Sequence, residues 1–144
     1  MATPIQVTFD CADPDRLATF WATALGYKKQ DPPEGYATWD EALAASGVPE
    51  ERWNSASAVV DPDGRGPRIF FQQVPEPKTV KNRVHLDVNI GRDAGTPSGV
   101  RRQRVDAEVE RLIQAGAVRL HSAEQHGEYW VVMQDPEGNE FCLQ

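Results

Sequence analysis

QVTFDCADPDRLATFWATALG, residues 6–26, reads as a strand running into a helix. Val7, Phe9 and Cys11 alternate with Gln6, Thr8 and Asp10, the period of two expected of a strand with one buried face. Asp13 stands where a helix N-cap belongs and Pro14 at the first helical position. A capping carboxylate accepts an orphan N–H there, and proline has none to lose. Leu17, Phe20, Trp21 and Leu25 fall on one side at helical spacing, and Gly26 is the stop.

The pattern is said twice. In NRVHLDVNI, residues 82–90, Val84, Leu86, Val88 and Ile90 alternate with His85, Asp87 and Asn89. A loop, GRDAGTPSG, leads into VRRQRVDAEVERLIQAG, where Val105, Val109, Leu112 and Ile113 form an apolar stripe and Gly116 ends the helix. SASAVVDPDGRGPRIFFQ and YWVVMQDPEGNEFCLQ then each read as strand, tight turn, strand, with proline setting φ and glycine accepting a positive one. Residues 68–72 align with 140–144, and residues 26–30 and 117–123 supply the remaining strands. Each half is therefore strand, helix and three strands. Module one spans about 4–74, a proline- and lysine-containing crossover about 75–81, and module two about 82–144.

The 144 residues carry a net charge of −7 and no basic stripe, which argues against a nucleic-acid partner. The run RRQR is offset by Arg102–Asp106 and Arg104–Glu108 pairs at helical spacing, so it reads as a solvated face. No apolar run has the length of a membrane span, and the N-terminal MATPIQVTF lacks a secretory pattern. Cys11 and Cys142 lie in strand-like runs and suggest reduced thiols, so a cytoplasmic protein is expected.

With its doubled plan, DCADPDRLATFWATALG at the start, VPEPKTVKNRVHLDV in the middle and DPEGNEFCL at the end, the chain resembles a glyoxalase-like domain. Such domains form the vicinal-oxygen-chelate superfamily of glyoxalases, bleomycin-resistance proteins and dioxygenases. The resemblance implies an α+β fold, two tandem βαβββ modules forming a cupped mixed or antiparallel sheet with helices on the convex side. It also implies a concave ligand cavity and a homodimer. It is specific for fold and poor for function, since the superfamily spans isomerases, lyases, oxygenases and plain binders.

The alternation independently sorts the faces. Val7, Phe9, Ile69, Phe71, Leu86, Val88, Phe141 and Leu143 supply an apolar floor for the helices. The other face gathers Gln6, Thr8, Asp10, Arg68, Phe70, Gln72, His85, Asp87, Asn89, Glu140 and Cys142, a set short of lysine and mixed in charge. By the resemblance, metal ligands fall on Gln6, His85 and Glu140. The family's last ligand is a glutamate four residues beyond the turn glycine, and Cys142 occupies that place, with Glu140 one strand repeat away. Gln–His–Cys mixes a hard and a soft donor and suits no common divalent ion well. One divalent metal ion and no cofactor at all both remain open. His121 and His126 flank the hairpin HSAEQHGEY and are expected to be exposed.

Residues 35–55 make a longer excursion than the doubled module needs, with a short helix from Trp39 through Leu43 and another turn at 49–53. Trp39, Trp53 and Tyr36 there could wall a flat ligand, or pack on the sheet rim or a second subunit. Two readings follow. One is a lyase or isomerase acting by proton transfer on a small oxygenated molecule, with His85, Glu140 and Asp87 catalytic. In it, Arg68, Asp10, Phe70, Trp39 and Trp53 bind the ligand. The other is a metal-free protein that sequesters an aromatic or cationic small molecule. Either takes a small-molecule ligand, and neither needs nucleic acid or a membrane.

Overall fold

The computed structural model describes residues 1–90 and 93–144 of the chain. They divide into two compact units, Met1–Pro77 and Lys78–Gln144. Each holds a four-stranded mixed sheet and at least one helix, the α+β arrangement of two tandem βαβββ modules.

In the first unit the order is β1 (Val7–Cys11), α1 (Pro14–Leu25), β2 (Lys28–Lys29), α2 (Trp39–Ala45), a 3-10 segment (Glu50–Ser55), β3 (Ala56–Val60) and β4 (Ile69–Gln73). The sheet order is β1-β4-β3-β2. β1 pairs parallel with β4, Val7 opposite Ile69, and β3 is antiparallel to both of its neighbours. α1 buries Leu17, Ala18, Phe20, Trp21 and Ala24, while Val59, Ile69 and Phe71 are buried from the strands. The Phe9 ring stands 5.2 Å from Trp21 and 5.4 Å from Phe71. Each large side chain so enclosed contributes about 1.5–3 kcal/mol, so this aromatic seam outweighs any polar contact in the unit.

The ends of α1 are set by local chemistry. Asp13 accepts from the Arg16 N–H at 3.2 Å, and Gly26 closes the helix at φ 67°. Asp13 also accepts from Asn54 Nδ2 at 2.8 Å, and Asn54 Oδ1 accepts from the Asp15 N–H at 2.8 Å. The 3-10 segment is thereby joined to the start of α1. The Asn54 hydrogen bond, with the capped N–H, holds the Asp13 carboxyl below its ordinary pKa.

The second unit contains β5 (Asp87–Val88), α3 (Ser98–Gln114), β6 (Val118–Gln125), β7 (Glu128–Gln134) and β8 (Glu140–Leu143), in sheet order β5-β8-β7-β6. Val105, Val109 and Leu112 of α3 are buried, as are Val131, Met133, Phe141 and Leu143 of the sheet. Ile113 is only half-buried. β5 is much shorter than the alternation from 82 to 90 suggests. Val84 is 82% exposed, because strand pairing engages the chain only from Leu86 onward. Three backbone bonds carry it: Cys142 N–H to Leu86 O at 2.9 Å, Gln144 N–H to Val88 O at 3.0 Å, and Ile90 N–H to Gln144 O at 2.6 Å. Of the loop expected at 91–99, Gly91 and Arg92 lie outside the described residues.

On α3, Arg102 approaches Asp106 only to 4.0 Å. Arg104 pairs with Asp93 at 2.8 Å, and Glu108 pairs with Arg111 one turn on. The expected Arg104–Glu108 pair gives way because each partner has a nearer opposite charge. His121 and His126 are both exposed.

The two Asp-Pro turns use their aspartates as much as their prolines and glycines. Asp61 accepts from the N–H groups of Asp63, Arg65 and Gly66 at 2.9, 3.0 and 2.8 Å. Asp135, 2% exposed, accepts from the N–H groups of Glu137 and Asn139 at 2.9 and 3.0 Å. Gly64 and Gly138 supply the positive φ, 68° and 85°, that a side chain would resist.

Replacing the α1 cap tests how far the helix depends on it. Asp13→Ala is expected to lower unfolding stability by about 0.5–2 kcal/mol, read as a reduced urea midpoint at unchanged slope.

Candidate functional site

A cavity of about 660 Å³ opens in the first unit. That falls within the several hundred cubic ångströms usual for small-molecule sites. Its walls are Trp39 and Leu43 of α2, Val48, Trp53 and Asn54 of the excursion, Ala56 and Ala58 of β3, and Arg68 and Phe70 at β4. The excursion is fixed to the rest of the unit by its indoles. Trp39 Nε1 donates to Gln30 O at 2.7 Å, and Trp53 Nε1 donates to Val48 O at 2.9 Å. Both rings can therefore present apolar faces to the cavity while their one polar atom is satisfied.

Arg68 is the cation at this wall. Its Nε donates to Gln30 Oε1 at 2.7 Å and its Nη1 to Gln6 Oε1 at 2.8 Å. The guanidinium carbon sits 5.2 Å from the centre of the Phe70 ring. Among the described residues no carboxylate pairs with it. Two neutral amides orient the charge without cancelling it, and a guanidinium so held is suited to a carboxylate or phosphonate. Lys29, Arg52 and Arg68 line the cavity against Asp15 and Asp40, and Asp15 is already paired with Lys29. In a chain of net charge −7, the cavity wall is locally cationic.

Of the sequence-predicted binding residues, Arg68, Phe70, Trp39 and Trp53 come together on this cavity. Asp10 does not line it, and its carboxylate accepts from Gln72 Nε2 at 2.7 Å. Tyr36 is exposed and also stands outside. Gln6 is occupied as an acceptor for Arg68. Gln30, which reasoning from the sequence passed over, supplies both the carbonyl for Trp39 and the amide oxygen for Arg68.

In the second unit the register sets Asp87 opposite Cys142. His85, two residues before Asp87, shares that face, and its Nε2 lies 3.3 Å from Asp87 Oδ1. One ligand atom each from His85, Asp87 and Cys142 lies within 4.8 Å of the others. The imidazole and carboxylate are nearly half-exposed, whereas Cys142 is buried. Burial, and then the charge and hydrogen bond of Asp87, push the Cys142 thiol up to about 11. The charge of Lys81 opposes this but does not prevail, so the sulfur stays a thiol and a poor nucleophile at neutral pH.

Glu140 is held differently. Its carboxylate pairs with Lys78 Nζ at 3.1 Å and accepts from the Asn82 N–H at 3.0 Å. Burial alone would raise its pKa, but the Asn82 bond and the Lys78 charge prevail and hold it below the ordinary 4.5. A carboxylate stabilised in this way is a poor proton acceptor.

The fit of a divalent cation follows from these donors. Of Gln6, His85 and Glu140, the amide oxygen serves Arg68 and the carboxylate serves Lys78 and Asn82. The imidazole, Asp87 and Cys142 instead offer nitrogen, oxygen and sulfur within one small cluster, a set that borderline ions such as Zn²⁺ accept.

The glyoxalase-like domain model matches residues 6–144, and the chain belongs to that family. A search of curated proteins gives no match. Among solved structures, the chain is similar to a possible glyoxalase from Bacillus cereus at 14% identity, covering 100% of this chain and 99% of that one, with a TM-score of 0.62. It is similar also to a glyoxalase/bleomycin resistance protein/dioxygenase family enzyme from Burkholderia phytofirmans PsJN at 17% identity, covering 96% and 94%, with a TM-score of 0.58. A mutant of the fosfomycin resistance protein FosX from Listeria monocytogenes, complexed with Mn(II) and 1S,2S-dihydroxypropylphosphonic acid, matches at 12% identity over 100% and 92%, with a TM-score of 0.65. At such identities these structures speak to the fold. No helix among the described residues is long and apolar enough to cross a membrane.

The assignment of Glu140 to an ion pair has a pH signature. A carboxyl whose folded pKa lies below its unfolded value adds stability that is complete above the unfolded value. That stability is lost as pH falls through the folded one. Glu140→Gln is therefore expected to destabilise the protein by about 1–2 kcal/mol at pH 7. Urea unfolding at stepped pH should show the gap to wild type closing as acid passes below the ordinary 4.5.

Proposed function

We propose that this glyoxalase-like protein binds a small organic acid with a flat apolar body in the cavity of its first unit. The observation that carries this reading is Arg68, a guanidinium fixed by Gln6 and Gln30 and unneutralised by any carboxylate among the described residues. It stands at the wall of a cavity whose remaining surface is largely indole, phenyl and aliphatic. A carboxylate or phosphonate would meet the guanidinium, and Trp39, Trp53 and Phe70 would cover the apolar body. The cationic wall favours an anion over the cationic ligand that the acidic composition alone suggests.

A second reading, proton transfer of the lyase or isomerase kind, is favoured by the pairing of His85 with Asp87. His85 Nε2 stands 3.3 Å from Asp87 Oδ1, so the imidazole would move the proton and the carboxylate would orient the ring. Were a divalent cation held by His85, Asp87 and Cys142 instead, it would take the place of the imidazole base and polarise a substrate oxygen. Glu140 is left with a structural role, because its charge already belongs to Lys78.

Thermal unfolding with a panel of aromatic carboxylates and phosphonates tests the binding reading. A ligand present at about 100 times its Kd should add roughly 2.7 kcal/mol of stability. Arg68→Met should abolish the response to the acids and spare that to neutral analogues, and Trp53→Ala should weaken both. If no acid in the panel stabilises the protein, the binding reading fails. Loss of turnover in His85→Ala with ligand binding intact would favour the second.

A further inference from the structure

We propose that His85, Asp87 and Cys142 form a site selective for a thiophilic divalent cation of the Zn²⁺ class over hard ions such as Mn²⁺ or Mg²⁺. This does not rest on the cavity of the first unit.

The parallel pairing of β5 with β8 sets Asp87 beside Cys142 and, through strand alternation, turns His85 to the same face. The backbone bonds from the Cys142 and Gln144 N–H groups to Leu86 and Val88, 2.9 and 3.0 Å, make this placement a property of the sheet. A tetrahedral ion with bonds of about 2.0–2.3 Å separates its ligand atoms by roughly 3.3–3.6 Å. His85 Nε2 and Asp87 Oδ1 already stand at 3.3 Å. The full cluster spans no more than 4.8 Å, so the sulfur has at most roughly 1 Å to close, within reach of small side-chain rotations.

The donor types decide the ion. Sulfur from a buried cysteine, with one imidazole and one carboxylate, matches Zn²⁺ or Co²⁺. Mn²⁺ and Mg²⁺ prefer all-oxygen or oxygen-rich shells. Three protein donors leave a fourth position, and the half-exposed imidazole and carboxylate open that position toward solvent. Glu140, the oxygen donor one strand repeat away, is committed to Lys78 and Asn82.

The test uses reduced full-length protein carrying Cys11→Ser, so that Cys142 is its only thiol. Titration with Co²⁺ is read by visible and near-ultraviolet absorption, and Zn²⁺ competition gives the affinity. The expected result is one ion per chain, tetrahedral visible bands and a near-ultraviolet sulfur-to-cobalt band. Cys142→Ser should lose that band, and Asp87→Asn should weaken Zn²⁺ at least about 10–100-fold, the scale seen even for outer-shell losses. His85→Ala removes a half-exposed side chain and should weaken Zn²⁺ similarly while keeping the wild-type melting temperature without metal. Zn²⁺ should also protect Cys142 from alkylation where Mn²⁺ does not. Cobalt binding without the sulfur band, unchanged affinity in either Asp87→Asn or His85→Ala, or equal protection by Mn²⁺ would each overturn the proposal.

Discussion

Both units depend on one constraint, the parallel pairing of their first strand with their last. Val7 opposite Ile69 and Asp87 opposite Cys142 are the same join made twice. A helix must cross over before the chain can return parallel, so α1 and α3 occupy one sheet face each and the opposite face receives every second side chain. A slip of one residue would exchange the faces, driving Arg68 or Asp87 into the apolar layer. Burial of Ile69, Phe71, Phe141 and Leu143 therefore holds the polar face in place as firmly as the backbone bonds do.

What each charged side chain can do depends on the charge of its holder. Arg68 is held by amide oxygens, which orient the guanidinium without neutralising its charge. Glu140 is held by an ammonium and a backbone N–H, which satisfy its charge and settle it into the fold. Two ionisable groups marked by the same alternation thus acquire opposite characters. Asp87 lies between them in kind, with an imidazole and a thiol as neighbours, both of which can exchange a proton for a metal ion.

Much of this was legible in the residues. The Asp13 cap, Pro14 and Gly26 bound α1 where local chemistry says they should, since a cap needs only its own neighbours. The face shared by His85, Asp87 and Cys142 follows from a period of two. The extent of β5 does not, because Val84 alternates correctly yet lacks a strand to pair with. Gln30 and Lys78 carry no local signal. Their roles come from side chains 38 and 62 residues distant, a range over which periodicity says nothing. Tyr36 and Trp39 look alike as aromatic residues of one excursion, but only Trp39 has its donor satisfied by Gln30 and a place at the cavity wall.

The order of residues alone determined the doubled strand-and-helix plan, its turns and which side chains share a sheet face. Those are consequences of dihedral preferences and hydrophobic period within a dozen residues. Only tertiary structure decided that Trp39, Trp53, Phe70 and Arg68 enclose one cavity, that Lys78 claims Glu140, and that Cys142 meets Asp87 and His85. Such outcomes rest on contacts between segments far apart in the chain, where geometry and competition among partners choose among groups that composition leaves equivalent.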